Sequence, residues 1–163
     1  MIFSKKNKDG NIAINLSYID GIINYKKDDA VQLSIDSNNQ CITIIGRLYK
    51  RPVIHLPLNQ INNVAIVDNQ EIEEKSKNVI GRAVTGGIIL GPLGAIIGGT
   101  SGIGNKKVLT YKKYLVINYI SKNAEMKVIS FEIVGATLHL NYFLKELKSK
   151  ANIQETNQNE ISL

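Results

Sequence analysis

Between Gly81 and Gly104 the chain carries nine of its 13 glycines, interleaved with Ile, Leu, Ala and Val, and Arg82 is the only charged side chain there. Each of those glycines weakens a helix by roughly 1 kcal/mol relative to Ala. The segment can therefore be ordered only where close packing or an apolar medium offsets that cost. Small residues recur every fourth position at Ala83, Gly87, Gly91, Ala95 and Gly99, and a second register runs through Gly94, Gly98 and Gly102. On a helix this spacing aligns them in a stripe that lets another backbone approach, the small-xxx-small packing of membrane helices. Gly91-Pro92-Leu93-Gly94 interrupts the run at its middle. The pattern predicts an inserted helical hairpin over 79–104 that turns at 91–94 and carries Ile88, Ile89, Leu90, Leu93, Ile96 and Ile97 as its apolar face.

The uncharged run is about 20 residues, the length of one membrane span, but its surroundings argue against a single crossing. Strand-like sequence lies on both sides of it, so both of its ends must stay on one side of any membrane. Lys75, Lys77 and Arg82 precede it, and Lys106, Lys107, Lys112 and Lys113 follow it. Basic groups near an anionic leaflet are worth about 1 kcal/mol apiece, and their placement fits a cytoplasmic location at the inner face of the cell membrane. Three destinations compete for the hairpin: a membrane surface, a second copy of the chain, and the protein's own sheet.

Around the insertion the chain alternates. Ile12, Ile14 and Leu16, then Val31, Leu33 and Ile35, then Ile42 and Ile44, then Ile54, Leu56 and Leu58, and finally Val64 and Ile66 follow a period of two, which is the mark of half-buried strands. Asp20-Gly21, Lys26–Asp29, Asp36–Asn39 and Asn59-Gln60 separate them as turns. Past the insertion, Tyr114–Tyr119 and Val128–Ile133 predict a second hairpin around a polar turn at Ser121–Glu125. Leu140, Phe143, Leu144 and Leu147 then recur at helical spacing. The reading is one α+β, mainly β domain over 1–150: first strands 12–70, insertion 79–104, last strands 108–134 and a closing helix 136–149. The tail 151–163 has too little apolar content to fold and is expected to be disordered. The charged stretch Glu71–Lys77 fits a solvated linker or a first helical turn equally.

Motifs for chemistry are scarce. Cys41 is the only cysteine, which removes intrachain disulfides and cysteine metal clusters, and it reads as a small hydrophobe. Lys5, Lys6 and Lys8 are not followed by an apolar run of signal length. His55 and His139 are the only histidines, without acidic partners at useful spacing. The stretch from Gly99 to Lys106 departs from a phosphate loop because Asn105 stands where Lys is required. No enzyme activity, metal or cofactor is expected. The net charge of +6 points to an anionic partner, either membrane or nucleic acid; for the latter, Tyr111, Tyr114 and Tyr119 would have to stack bases.

The order of parts, together with the phrases Ile54–Ile61, Lys77–Ala83, Gly91–Gly99 and Leu115–Tyr119, resembles bacterial and phage PH-like domains of the GRAM or bPH type. The resemblance covers residues 12–150. It implies a bent antiparallel sheet, or partly open barrel, closed by a C-terminal helix, and a binding or scaffold module without catalytic residues. The expected function is a membrane-associating or self-assembling module anchored through its glycine-zipper hairpin. Alternatives are a soluble adaptor that grips a protein partner with the hairpin, and weak nucleic-acid binding through the basic surface.

Overall fold

The computed structural model describes residues 12–76, 83–84, 87–98, 111–135 and 139–153. Seven strands form one antiparallel sheet: β1 (Ala13–Asp20), β2 (Ala30–Asp36), β3 (Cys41–Gly46), β4 (Ile54–Pro57), β5 (Ile61–Asp68), β8 (Lys113–Ile120) and β9 (Met126–Ile133). Their order is β4-β3-β2-β1-β9-β8-β5, so the sheet ends on β4 and β5 and is not closed into a barrel. Leu58, read as the end of a strand, lies instead in a short 3₁₀ turn at Leu58–Gln60 between those two edges, with its side chain buried.

β1 joins the two halves, pairing with β2 from Ala13 to Ser17 and with β9 from Ser17 to Asp20. The register slips between Tyr18 and Asp20, and a bulge of this kind bends a strand. Gly21 follows at φ +111°, and a Cβ there would lie 2.2 Å from the Val128 carbonyl oxygen. Only glycine fits where β1 leaves β9 so closely.

One face of the sheet buries Leu16, Leu33, Ile44, Leu115, Ile117 and Phe131 against α3 (Leu140–Lys150), which contributes Leu140, Phe143, Leu144 and Leu147. These are the four positions marked by the helical spacing. The helix begins at Leu140, with His139 at its N-cap rather than within it.

The opposite face is also covered. Ile19, Val67, Tyr114 and Val116 pack with Ile72, Ile88, Leu90 and Leu93 into a second, smaller cluster. Ile72 belongs to α1 (Asn69–Ser76), so Glu71–Ser76 is a helix and not a linker. A reciprocal cap starts it: the Glu71 N–H donates to Asp68 Oδ1 at 2.8 Å, and Glu71 Oε2 accepts from the Asp68 N–H at 3.3 Å.

Candidate functional site

The insertion departs from the expected pair of helices. Ala83–Val84 (β6) and Ile88–Ile89 (β7) form a two-stranded ribbon, and only the second arm, α2 (Pro92–Gly98), is helical. Gly87 at φ +77° and Gly91 at φ +56° lie outside the right-handed helical region. The small residues at 83, 87 and 91 therefore do not continue along the helix that carries Ala95, and the predicted stripe is broken. Pro92 opens α2 at the first helical position, where its missing N–H is harmless.

This ribbon and helix lie on the sheet. Ile88, Leu90 and Leu93 are buried there, Ile89, Gly94 and Ile96 are half-buried, and Gly87, Gly91, Pro92 and Ala95 are exposed. Burying a side chain of this size is worth about 1.5–3 kcal/mol, so Ile88, Leu90 and Leu93 are already in use within the protein. Ile97 and Gly98 complete α2. Gly99, Gly102, Lys77, Arg82, Lys106 and Lys107 lie outside the described residues. Lys75 is in α1. Lys112 pairs with Glu132 at 3.6 Å, and Lys113 stands over the Tyr111 ring at 5.6 Å.

The residue that fastens the insertion is Asn118, which has no solvent exposure. Its Nδ2 donates to the Ile89 carbonyl and its Oδ1 accepts from the Ile89 N–H, both at 2.7 Å. The side-chain amide thus exchanges two hydrogen bonds with the backbone, as a neighbouring strand would. The root is closed in the same manner, since the Asn69 N–H donates to the Lys112 carbonyl at 3.0 Å and the Lys112 N–H to Asn69 Oδ1 at 3.1 Å. Sequence reading missed both. The signal for Asn118 was present in Tyr114–Ile117, an apolar run without alternation, which is what a strand buried on both faces looks like.

A second constellation gathers at one end of the sheet. The antiparallel registers bring together the β1–β2 loop (21–29), the β3–β4 loop (47–53) and the β8–β9 turn (121–125). Large apolar side chains project from them: Ile23 is 85% exposed, Leu48 76% and Tyr49 63%. Val53, Ile120 and Met126 are also exposed there, as are Lys26, Lys27, Arg47, Lys50 and Lys122.

These loops are held firmly. Arg51 Nε and Nη2 donate to the two Asp29 carboxylate oxygens at 2.8 and 3.2 Å, and the Lys26 N–H donates to Asp29 Oδ2 at 2.8 Å. The Arg51 guanidinium, and after it the Lys26 N–H, hold the Asp29 carboxyl below the usual carboxylate range. Tyr25 is buried, donating its hydroxyl to the Pro52 carbonyl at 2.7 Å, and desolvation raises its pKa. The Tyr18 hydroxyl accepts from the Ile22 N–H at 2.6 Å and donates to the Ile22 carbonyl at 3.1 Å. Asn24 and Asp28 adopt positive φ, which their short polar side chains tolerate.

Beside this end, between β4 and the β8–β9 turn, an open groove of about 590 Å³ is lined by Ile22, Ile54, Leu56, Tyr119, Lys122 and Lys127, among others. The turn of the insertion lies near as well: a Cβ on Gly91 would meet Val128 at 3.2 Å, and Ile96 shares a depression with Ile22 and Ile23.

Among the described residues, no three His, Cys, Asp or Glu side chains are grouped to hold a metal ion, and no helix is long and apolar enough to cross a membrane. His55 is exposed, and its Nδ1 lies 3.4 Å from Thr43 Oγ1 and 3.9 Å from Cys41 Sγ. Cys41 is buried, as a small hydrophobe would be.

No curated protein matches the chain. A family model described as a glycine zipper containing PH domain does match, over residues 20–135, from the last residue of β1 to just past β9. The bent antiparallel sheet, the covering C-terminal helix and that match together make this chain a member of the glycine-zipper PH domain family.

Proposed function

We propose that the protein is a non-catalytic docking module that meets the anionic inner face of the cell membrane with the loop end of its sheet. The observation that carries this reading is the pairing of exposed Ile23 and Leu48 with four exposed cations, Lys26, Lys27, Arg47 and Lys50, on loops tied together by Asp29, Arg51 and Tyr25. Exposed apolar side chains of this size, ringed by cations, are what an anionic interface accepts. Rigid loops present them without a further ordering cost. The turn of the insertion at Gly91 and Pro92 lies beside the same end, so it meets the same surface.

Co-flotation with phosphatidylcholine vesicles, with and without phosphatidylserine, tests the proposal. The wild type is expected to float with the anionic vesicles and to be released by salt. Ile23→Ser combined with Leu48→Ser removes apolar contacts worth about 1.5–3 kcal/mol each when fully buried, so the bound fraction should fall more than tenfold. Equal flotation of the double variant and the wild type would sink the reading.

A second reading, assembly of copies through the insertion, is favoured by the exposed small residues Gly91, Pro92 and Ala95. Close approach of two backbones there tolerates no large charged group. Ala95→Glu is expected to shift a self-associating chain to monomer in sedimentation velocity, and a wild type that is monomeric at all concentrations rejects assembly.

A further inference from the structure

Ile88, Leu90 and Leu93 are buried on the sheet, and the same side chains are what the insertion has to offer a bilayer. They cannot serve both at once. From this exclusion, and resting on the membrane reading above, we infer that the insertion is a latched arm: sheet docking and lipid contact compete for one apolar face, and Asn118 is the latch.

The described elements of the insertion are short. Among the described residues its paired strands are two residues each and its helix is seven, all shorter than elements that persist alone in water. Its conformation therefore depends on what it touches. On the sheet it touches Ile19, Val67, Tyr114 and Val116, an apolar surface that would hold many greasy segments in many registers. Asn118 removes that latitude, because while the arm covers it and excludes water its amide is satisfied only when the backbone of Ile89 is placed against it. A single buried amide in an apolar interface specifies register, as a buried Asn does in a coiled coil, and its loss here would leave the Ile89 N–H and C=O without their partners.

The release step leaves no stranded polar group. When the arm lifts, water takes up both hydrogen bonds of Asn118 and both of Ile89. What opposes release in water is the exposure of two apolar faces, the arm and the sheet. A bilayer removes half of that opposition by accepting Ile88, Leu90 and Leu93, so a membrane shifts the equilibrium toward the lifted state through its differential affinity for that state. Gly87 and Gly91, both at positive φ, supply swivels on either side of the buried Ile88–Leu90 segment.

The experiment pairs hydrogen exchange in solution with flotation on phosphatidylserine-containing vesicles, using the full chain. Asn118→Ala is expected to speed exchange of the amides in 88–97 by at least tenfold, to leave β1–β4 unchanged, and to raise the vesicle-bound fraction above wild type. Ile89→Pro removes the N–H that Asn118 accepts while leaving the sheet sequence intact, and should act alike if Asn118→Ala unfolds the domain. Unchanged exchange in 88–97 in both variants overturns the latch. Faster exchange without greater flotation, when the wild type itself floats, overturns the competition. If neither wild type nor variant floats, the membrane reading falls, and the exchange in solution still decides the latch.

Discussion

The two faces of the sheet are built differently. Beneath α3, the described residues include 21 buried side chains in one cluster, drawn from all seven strands of the sheet, from Tyr25 and Leu58 between strands, and from the helix. Beneath the insertion the cluster holds eight, and a buried amide sits at its margin. The first face is held by interdigitated Leu, Ile and Phe, whose removal leaves a cavity that nothing refills. The second is held by three large side chains of a glycine-rich segment, by Ile72 of α1 and by one pair of reciprocal hydrogen bonds. A face of the first kind is part of the global fold, and one of the second kind can open by itself.

The strongest way to break that contrast is to truncate one large residue on each face. Phe143→Ala, on the α3 side, is expected to lower stability by about 3–5 kcal/mol and to shift the midpoint of the whole denaturation curve. Leu93→Ala, on the insertion side, is bounded by the free energy of local docking and should cost no more than about 2 kcal/mol. Its effect should show as faster exchange confined to the insertion. Equal global losses from the two truncations would mean that the faces form one cooperative unit.

Gly91→Ala sharpens the picture with a smaller effect. Its φ of +56° and the 3.2 Å approach to Val128 make an added methyl unfavourable by about 1 kcal/mol, again read in the insertion and not in β2 or β3. The smallest effect belongs to the loop end, where Tyr25 reaches the α3-side core but Asp29 does not. Asp29 is held below its ordinary pKa by Arg51, so its contribution to stability is fully present above the unfolded carboxylate value of about pH 4. It is lost as pH falls through the lower, folded value. Asp29→Asn should therefore flatten the acid side of the stability curve, measured by thermal melts between about pH 5 and pH 3, while a profile as steep as wild type would remove Asp29 from the account.

The same contrast explains what could be read from the residues alone. The α3 face was legible because both of its partners are periodic: Leu33 and Ile35 at a spacing of two, Leu140, Phe143, Leu144 and Leu147 at helical spacing. The insertion was visible as a break in composition but not as a shape. Its apolar and small residues satisfy a helical stripe and a ribbon equally well, and what decides between them is tertiary, namely the approach of Ile89 to Asn118 and of Gly91 to Val128. The α1 helix was legible in principle, since Asp68 and Glu71 stand at capping-box spacing. The loop end was the least visible of all. Ile23 is far in the chain from Leu48 and Tyr49, and nothing in their local sequence says that antiparallel registers bring them together.

The connection from β5 to β8, residues 69–112, is roughly tenfold longer than a tight hairpin loop, and the entropy of closing a loop grows only with the logarithm of its length, so the excess costs about 2 kcal/mol. One buried side chain the size of Leu93 offsets most of that. The sheet can therefore host a long connection at this junction at little net cost, because several of its side chains are buried and Asn118 of β8 fastens its backbone.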